Sequence, residues 1–171
     1  MRKIGFIGCG HMAKALIKGL KSNKSYELFG HDRNTKNLAW LEQEKIPFCS
    51  LKEICQESDI LMICVKPKDM YDLCSEMRTY IGNELKIVSV AAGITLENLK
   101  DALPGGKVYR AMPNIGAKHN LGITSIFSYE ELNEIIDIFN YLGKAIVVED
   151  EDKINLLSLI HISEPTRLES I

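Results

Sequence analysis

Three small residues near the start of the chain have the spacing of a phosphate-binding turn. Gly8, Gly10 and Ala13 form a G-x-G-x-x-A pattern between a short apolar run and a segment with apolar residues at helical spacing. In such a turn Gly8 permits the bend, Gly10 lacks the Cβ that would block a pyrophosphate, and Ala13 lets the helix approach the strand. The amino end of the helix would face the phosphates with unpaired N–H groups. The alternative is a glycine-rich turn between two packed elements.

A second group of candidates, Asp32, Arg33 and Asn34, follows the strand predicted over residues 26–31. Residues about 20 positions after a glycine turn of this kind read the adenosine ribose. An acid there favours NAD, whereas an arginine pairs with a 2′-phosphate and favours NADP. Because Arg33 can pair with that phosphate and Asn34 can donate to it, the sequence predicts a modest preference for NADP over NAD. The alternative is that Asp32 or Asn34 only caps the helix predicted over residues 35–44.

Other candidates follow further apolar segments. Residues 59–65 are almost uninterruptedly apolar, which is typical of a central parallel strand buried on both faces, and they end at Lys66 and Pro67. Ligands lie at the carboxyl ends of strands in open α/β sheets, so Lys66 is a site candidate, with an ordinary surface lysine as the alternative. A strand over residues 87–93 ends in small residues, which either admit a flat ring or make a tight turn. Thr95 is predicted to cap the helix that follows, to about residue 103.

The remaining pattern predicts the fold class. Strands are expected at 47–49, 108–112, 123–127 and 145–148, and helices at 51–57 and 129–141. Alternating strands and helices indicate an α/β fold with a doubly wound, mostly parallel sheet of the Rossmann type, in a single domain. We place that domain at residues 1–150. Residues 151–171 are interpreted as a terminal helix, begun by the acids at 149–152 and ended by Pro165, followed by a tail.

Composition excludes several function classes. The formal charge of −2 over 171 residues and the absence of a lysine or arginine cluster give no reason to expect nucleic acid. Five scattered cysteines without a C-x-x-C pair indicate neither disulfides nor a metal site, and Cys9 is interpreted as a small residue tolerated beside a ligand rather than a reactive thiol. The first residues enter a strand directly, and no apolar run reaches the ~20 residues that span a membrane. A soluble, cytoplasmic protein is therefore expected.

Several motifs in order resemble the pyrroline-5-carboxylate reductases. They are the glycine-turn segment at residues 6–16, the strand with Lys-Pro at 59–67, the Val-Ala-Ala-Gly at 90–93, and Met112-Pro113-Asn114 followed by Gly122. The resemblance covers about residues 1–157. It implies the amino-terminal NAD(P)H-binding domain of an oxidoreductase that reduces the cyclic imine pyrroline-5-carboxylate to proline, the last step of proline biosynthesis.

The resemblance also implies which residues would hold the cofactor. The pyrophosphate would be held by Gly8, Cys9, Gly10, His11 and Met12. The adenosine ribose would lie at Asp32, Arg33 and Asn34. The nicotinamide half would be lined by Val65, Lys66, Pro67, Ala91 and Ala92, and closed by Pro113 and Asn114. No catalytic residue is assigned, because the cofactor carries the hydride and the protein mainly positions the reactants.

Members of the family continue into a helical carboxyl-terminal domain that contacts the imine and forms the dimer. The residues from about 158 do not match that domain, so we interpret the end of the chain as truncated or non-native. Two alternatives to the reductase interpretation remain. One is a deazaflavin-dependent NADP reductase or β-hydroxyacid dehydrogenase relative, and the other is a dinucleotide-binding module without chemistry.

Overall fold

The computed structural model describes residues 1–155, so the predicted helix beyond residue 155 and its end at Pro165 lie outside the described residues. Within the described part, one sheet contains seven strands. These are β1 Arg2–Ile7, β2 Tyr26–His31, β3 Ile60–Ile63, β4 Lys86–Ser89, β5 Lys107–Met112, β6 Gly122–Phe127 and β7 Gly143–Val147. Their order across the sheet is β2-β1-β3-β4-β5-β6-β7.

The first five strands in this order are mutually parallel. β6 runs antiparallel to β5, and β7 is parallel to β6. The predicted α/β class with a doubly wound, mostly parallel sheet is therefore confirmed.

Six α-helices with both ends described pack on this sheet, and residues 152–155 are also helical. The six helices are α1 His11–Leu20, α2 Thr35–Gln43, α3 Leu51–Glu57, α4 Met70–Met77, α5 Leu96–Ala102 and α6 Asn133–Tyr141, with 3-10 turns at Pro67–Asp69 and Ile115–His119. Thr95 caps α5 as predicted, because its hydroxyl accepts the backbone N–H of Asn98 at 3.1 Å. None of the helices in the described region has the length and apolarity that crossing a membrane would require.

Sequence reasoning missed α4 altogether. Its buried residues Met70, Leu73, Cys74 and Met77 have the spacing of one helical face, so the signal was present. The helix begins directly after the 3-10 turn that contains Pro67, a residue that tolerates the first position of a helix. This omission matters for the site, because α4 forms one of its walls.

Several predicted boundaries were wrong. The strand expected over 87–93 ends at Ser89, and a turn follows it. The strand expected at 47–49 is a single bridge between Gly30 and Phe48, since Ser50 caps α3 immediately afterwards and ends the extended segment. The helix expected over 129–141 begins only at Asn133. The Ser128 hydroxyl accepts the backbone N–H of Glu130, and the Glu131 carboxylate accepts that of Asn133, so local turns replace the first helical turn.

The core has two layers, one on each face of the sheet. Ile60 and Met62 of β3 face the layer that contains α1, α2 and α6, whereas Leu61 and Ile63 face the layer that contains α3, α4 and α5. All four of these side chains are fully buried. Burial on both faces explains why this strand is a continuous apolar run instead of an alternating one.

The carboxyl end of α1 lies very close to the 3-10 turn at Ile115–His119. A Cβ on Gly19 would stand 2.2 Å from the carbonyl oxygen of Ala117. Next to this contact, the Asn120 amide donates to the carbonyl oxygens of Gly19 at 3.0 Å and Tyr141 at 2.9 Å. Gly19 therefore sets the position of α1, the helix that begins at the glycine turn.

We predict that Gly19→Ala destabilises the protein by about 1–3 kcal/mol, because the added methyl group meets backbone that cannot rotate away. The matched control is Gly82→Ala, since a Cβ on Gly82 has nothing within 4 Å. Thermal or urea unfolding of the two variants measures the difference. Equal stabilities would show that the close approach at Gly19 does not constrain the helix.

Candidate functional site

The residues singled out by the sequence lie along one edge of the sheet. β1 pairs in parallel with β2 on one side and β3 on the other. The chain continues from β1 to β2 toward one side of the sheet and from β3 to β4 toward the other. This is a switch point, the place where ligands bind in open α/β sheets. The segments that follow the carboxyl ends of β1 to β5 contain residues 8–12, 32–34, 65–67, 91–92 and 113–114. The fold therefore brings all the sequence candidates to the same edge.

At Gly8, the loop that follows β1 lies very close to the loop that follows β3. The φ of Gly8, +82°, lies in the left-handed region, and a Cβ there would stand 2.8 Å from Cγ1 of Val65 and 3.0 Å from its backbone nitrogen. The backbone N–H of Gly8 donates to the carbonyl oxygen of His31 at 3.0 Å. Both backbone conformation and space therefore exclude any larger residue at position 8.

Gly10 is the residue before α1, and the space around it is open. A Cβ on Gly10 would meet no heavy atom within 4 Å, so no contact with the described part of the protein requires glycine at this position. No side chain in the described residues caps the amino end of α1, and its first turn contains no acid. The first N–H groups of α1 thus have no side-chain cap among the described residues and stand at the positive end of the helix dipole, an arrangement that fits an anion.

The Asp32 carboxylate holds the glycine loop in place. Its Oδ2 accepts the backbone N–H of Cys9 at 2.7 Å and the side-chain amide of Asn37 at 2.8 Å, and its Oδ1 accepts the backbone N–H of Asn34 at 2.8 Å. Both oxygens are therefore engaged within the protein. Asp32 connects the loop after β1 to the amino end of α2, a structural role that the sequence did not reveal.

Asn34 caps α2, as the sequence allowed. Its side-chain oxygen accepts the backbone N–H of Lys36 at 2.9 Å, and Asn34 is the N-cap of α2. At the neighbouring helix start, His11 is the exposed first residue of α1, and half-buried Met12 packs against the first core layer. Ala13 is fully buried, in agreement with its predicted role in the approach of helix and strand.

Cys9 has the character of a structural thiol. The residue is fully buried, and its sulfur lies 3.7 Å from the carbonyl oxygens of Phe6 and His31. Burial raises the pKa of this thiol to about 12, and the Asp32 charge adds to the rise. A thiol that stays protonated is a poor nucleophile, which agrees with the interpretation of Cys9 as a small tolerated residue.

The loops after β3, β4 and β5 complete this edge of the sheet. Lys66 is exposed and leads into the 3-10 turn that begins at Pro67. After β4, Ala91 is buried and Ala92 is exposed. After β5, Pro113 is buried, and the side-chain oxygen of half-buried Asn114 accepts the backbone N–H of Ile123 at 3.3 Å.

A cavity of about 260 Å³ lies between the carboxyl ends of β1 to β3 and helix α4. It is lined by Ile7, Gly8, His31, Asp32, Arg33, Val65, Asp69, Asp72 and Leu73. Arg33 lies at its rim and forms an ion pair with Glu76 of α4. The hydrogen bond that Arg33 donates to Glu76 raises the pKa of the Arg33 guanidinium, and the charges of Asp72 and Asp69 act in the same direction. The acids on α4 are site residues that sequence reasoning missed together with that helix.

A larger cavity, of about 610 Å³, lies at the opposite edge of the sheet. Its lining includes Arg2, Asp59, Lys86 and Lys107, which stand at or next to the amino ends of strands. Ligands of open α/β sheets bind at the carboxyl ends of strands, where all the sequence candidates lie. We therefore assign the candidate site to the carboxyl edge.

Comparison with known proteins adds the family. Residues 3–93 match the family model described as "NADP oxidoreductase coenzyme F420-dependent". A pyrroline-5-carboxylate reductase of Escherichia coli is 34% identical over 160 residues, which cover 87% of this chain and 60% of the relative. One from Methanosarcina acetivorans is 31% identical over 166 residues, covering 87% of this chain and 59% of the relative. The chain thus spans about 60% of the length of the curated relatives that it matches.

Solved structures show the same fold. The crystal structure of a Plasmodium falciparum pyrroline carboxylate reductase with NADP bound has a TM-score of 0.84 at 22% identity, covering 98% of this chain and 65% of the other. The resemblance to the amino-terminal part of pyrroline-5-carboxylate reductases, first seen in the motifs, is therefore confirmed. Because the family model spans 3–93 of 171 residues, the chain belongs to the NADP oxidoreductase, coenzyme F420-dependent family.

Proposed function

We propose that this chain binds NAD(P)H and forms the cofactor-binding part of an enzyme that reduces pyrroline-5-carboxylate to proline in proline biosynthesis. The main support for a dinucleotide cofactor is the open space at Gly10, next to the uncapped amino end of α1. The curated relatives from Escherichia coli and Methanosarcina acetivorans support the substrate, a small cyclic imine. The cytoplasmic location and the homo-oligomeric state expected of full-length relatives stay predictions.

The residues at the carboxyl edge fit a dinucleotide. The loop from Gly8 to Met12 would hold the pyrophosphate, because glycine at position 10 leaves its path free and the amino end of α1 favours negative charge. The cavity beside Arg33 would take the adenosine ribose. The loops at 65–67, 91–92 and 113–114 would line the nicotinamide half, where small residues admit a flat ring.

The chemistry divides between the cofactor and the protein. When bound, the cofactor supplies the hydride that reduces an imine carbon. The residues of this chain contribute binding and orientation: the glycine loop fixes the phosphates, and the loops after β3 and β4 hold the ring at the sheet edge. We assign no proton donor among the residues of this chain.

The preference for NADP over NAD stays a prediction, and two contacts bear on it. The Asp32 oxygens already accept three protein donors, which weakens the case that Asp32 selects NAD by binding both ribose hydroxyls. Arg33, the residue expected to pair with a 2′-phosphate, is itself paired with Glu76. Asp32 and Arg33, which the sequence suggested as determinants of the preference for NAD or NADP, are therefore both bonded to other groups of the protein.

A deazaflavin-dependent NADP reductase is the second candidate, and the description of the matching family model favours it. That match ends at residue 93, after the segment that follows β4. The alignment with the Escherichia coli reductase covers 87% of the chain and thus extends well beyond residue 93. We therefore prefer imine reduction.

A chimera in which residues 1–155 are followed by the remaining part of the Escherichia coli relative should oxidise NAD(P)H with pyrroline-5-carboxylate, whereas turnover with a deazaflavin instead would favour the second candidate.

We predict that Gly10→Val leaves the protein folded but lowers its affinity for NADH and NADPH by at least about a hundredfold, roughly 2.7 kcal/mol. The isopropyl group meets no protein atom, yet it would occupy the path of the pyrophosphate. Calorimetric titration and thermal unfolding measure the two effects, and Gly82→Val in an open loop is the control. Unchanged affinity in a folded Gly10→Val variant would show that the glycine loop does not bind the cofactor.

We predict that Asp32→Ala weakens NADH and NADPH by similar factors, because the variant releases the Cys9 N–H and loosens a loop that both cofactors need. Loss of the three hydrogen bonds should also cost about 1–3 kcal/mol of stability. Asp101→Ala, an exposed acid on α5, is the control. A loss confined to NADH would instead show that Asp32 binds the ribose hydroxyls directly.

We predict that the purified 171-residue chain binds NAD(P)H but does not oxidise it with pyrroline-5-carboxylate above the enzyme-free rate. Binding a cofactor alone does not hold the imine in attack geometry, and loss of such orientation raises a barrier by up to about 7–11 kcal/mol. Cofactor absorbance with and without the imine gives the rate. Imine-dependent oxidation by this chain would mean that its own residues form a substrate site.

A further inference from the structure

The rim of the cavity carries an ion pair that joins two elements far apart in sequence. Arg33 follows β2, and its guanidinium donates to Oε1 of Glu76 on α4, 43 positions later. Both side chains are exposed to a large degree, 73% for Arg33 and 48% for Glu76, so the pair lies in solvent and neither group is locked by packing. A ligand group of the right charge can therefore compete for either partner.

The charges around this pair are unequal. Asp69 and Asp72 line the same cavity as Arg33, and Glu76 stands one helical turn beyond Asp72 on α4. Asp32 lies on the floor of the cavity with both oxygens in hydrogen bonds. Lys66 and Lys68 stand in the turn before α4, but neither lines the cavity. One arginine thus faces four acids.

We propose that Glu76 is a specificity-determining residue that competes with the 2′-phosphate of NADPH for Arg33. The proposal rests on the proposed dinucleotide site. A 2′-phosphate carries nearly two negative charges, so binding it at this rim requires Arg33 to leave Glu76 and brings like charges close to Asp69 and Asp72. A 2′-hydroxyl meets neither obstacle. Glu76 therefore lowers the affinity for NADPH without lowering that for NADH.

The size of the effect follows from the exposure of the pair. Exposed ion pairs contribute little to binding or stability, so Glu76→Gln should raise the affinity for NADPH only about two- to fivefold. The affinity for NADH should change by less than about 1.5-fold. The gain should shrink as ionic strength rises, because the Debye length falls from about 10 Å at 0.1 M salt to 3 Å at 1 M.

The test is calorimetric titration of the full chain with NADPH, NADH and 2′,5′-ADP, a probe that carries the 2′-phosphate without nicotinamide. The variants are Glu76→Gln, Arg33→Ala and the double variant. The control is Glu84→Gln, an exposed acid that pairs with Lys107 at the opposite edge of the sheet. We expect Glu76→Gln to tighten NADPH and 2′,5′-ADP selectively, Arg33→Ala to weaken both, and the double variant to behave like Arg33→Ala.

Each other outcome overturns a defined part of the argument. Equal affinities of the wild type and Glu76→Gln for NADPH would refute the role of Glu76. A gain that persists in the Arg33→Ala background would refute competition for Arg33. If the folded wild type bound neither NADH nor NADPH, the proposed function itself would fail, and this result is distinct from the other two because it requires no variant.

Discussion

The Asp32 carboxylate makes the hydrogen bonds on which the geometry of the site depends. It accepts the backbone N–H of Cys9 in the glycine loop and two further donors at the start of α2. A loop that contains glycines on both sides of Cys9 has many conformations open to it, and fixing one of them costs conformational entropy. The charge-assisted hydrogen bond to Cys9 offsets part of that cost. The amino end of α1 is thereby held open toward the edge of the sheet.

The second constraint on the site is the close approach of two loops. At Gly8 the loop after β1 comes so near Val65, in the loop after β3, that a methyl group would not fit between them. β1 and β3 are parallel neighbours, and the chain continues from them toward opposite sides of the sheet. This arrangement creates the crevice. β3 is buried on both faces, so these strands are packed tightly between the two layers of helices. Binding residues on short loops are thus positioned by a well-packed scaffold.

Arg33 and the acids beside it set the local charge at the rim of the cavity. In the proposed function the glycine loop would bind any dinucleotide, because helix N–H groups do not distinguish one dinucleotide from another. Distinction between NAD and NADP would then depend on the groups at the ribose, which we propose are Arg33 and the acids of α4. Family membership would predict the cofactor class, whereas the balance of charges at this rim would determine the preference within that class.

The sequence by itself determined the fold class and which residues are candidates for the site. Continuous apolar runs identified the buried strands, and Gly8, Gly10 and Ala13 identified the turn, because these patterns reflect local conformation and burial. Only the tertiary structure decided the contacts of Asp32 and Arg33. Their partners Cys9 and Glu76 are 23 and 43 positions away, and no local pattern records which side chains meet across the edge of a sheet. The spacing of apolar residues in α4 was recognisable in the sequence. Only the packing of the helix shows that its acids lie beside the cavity.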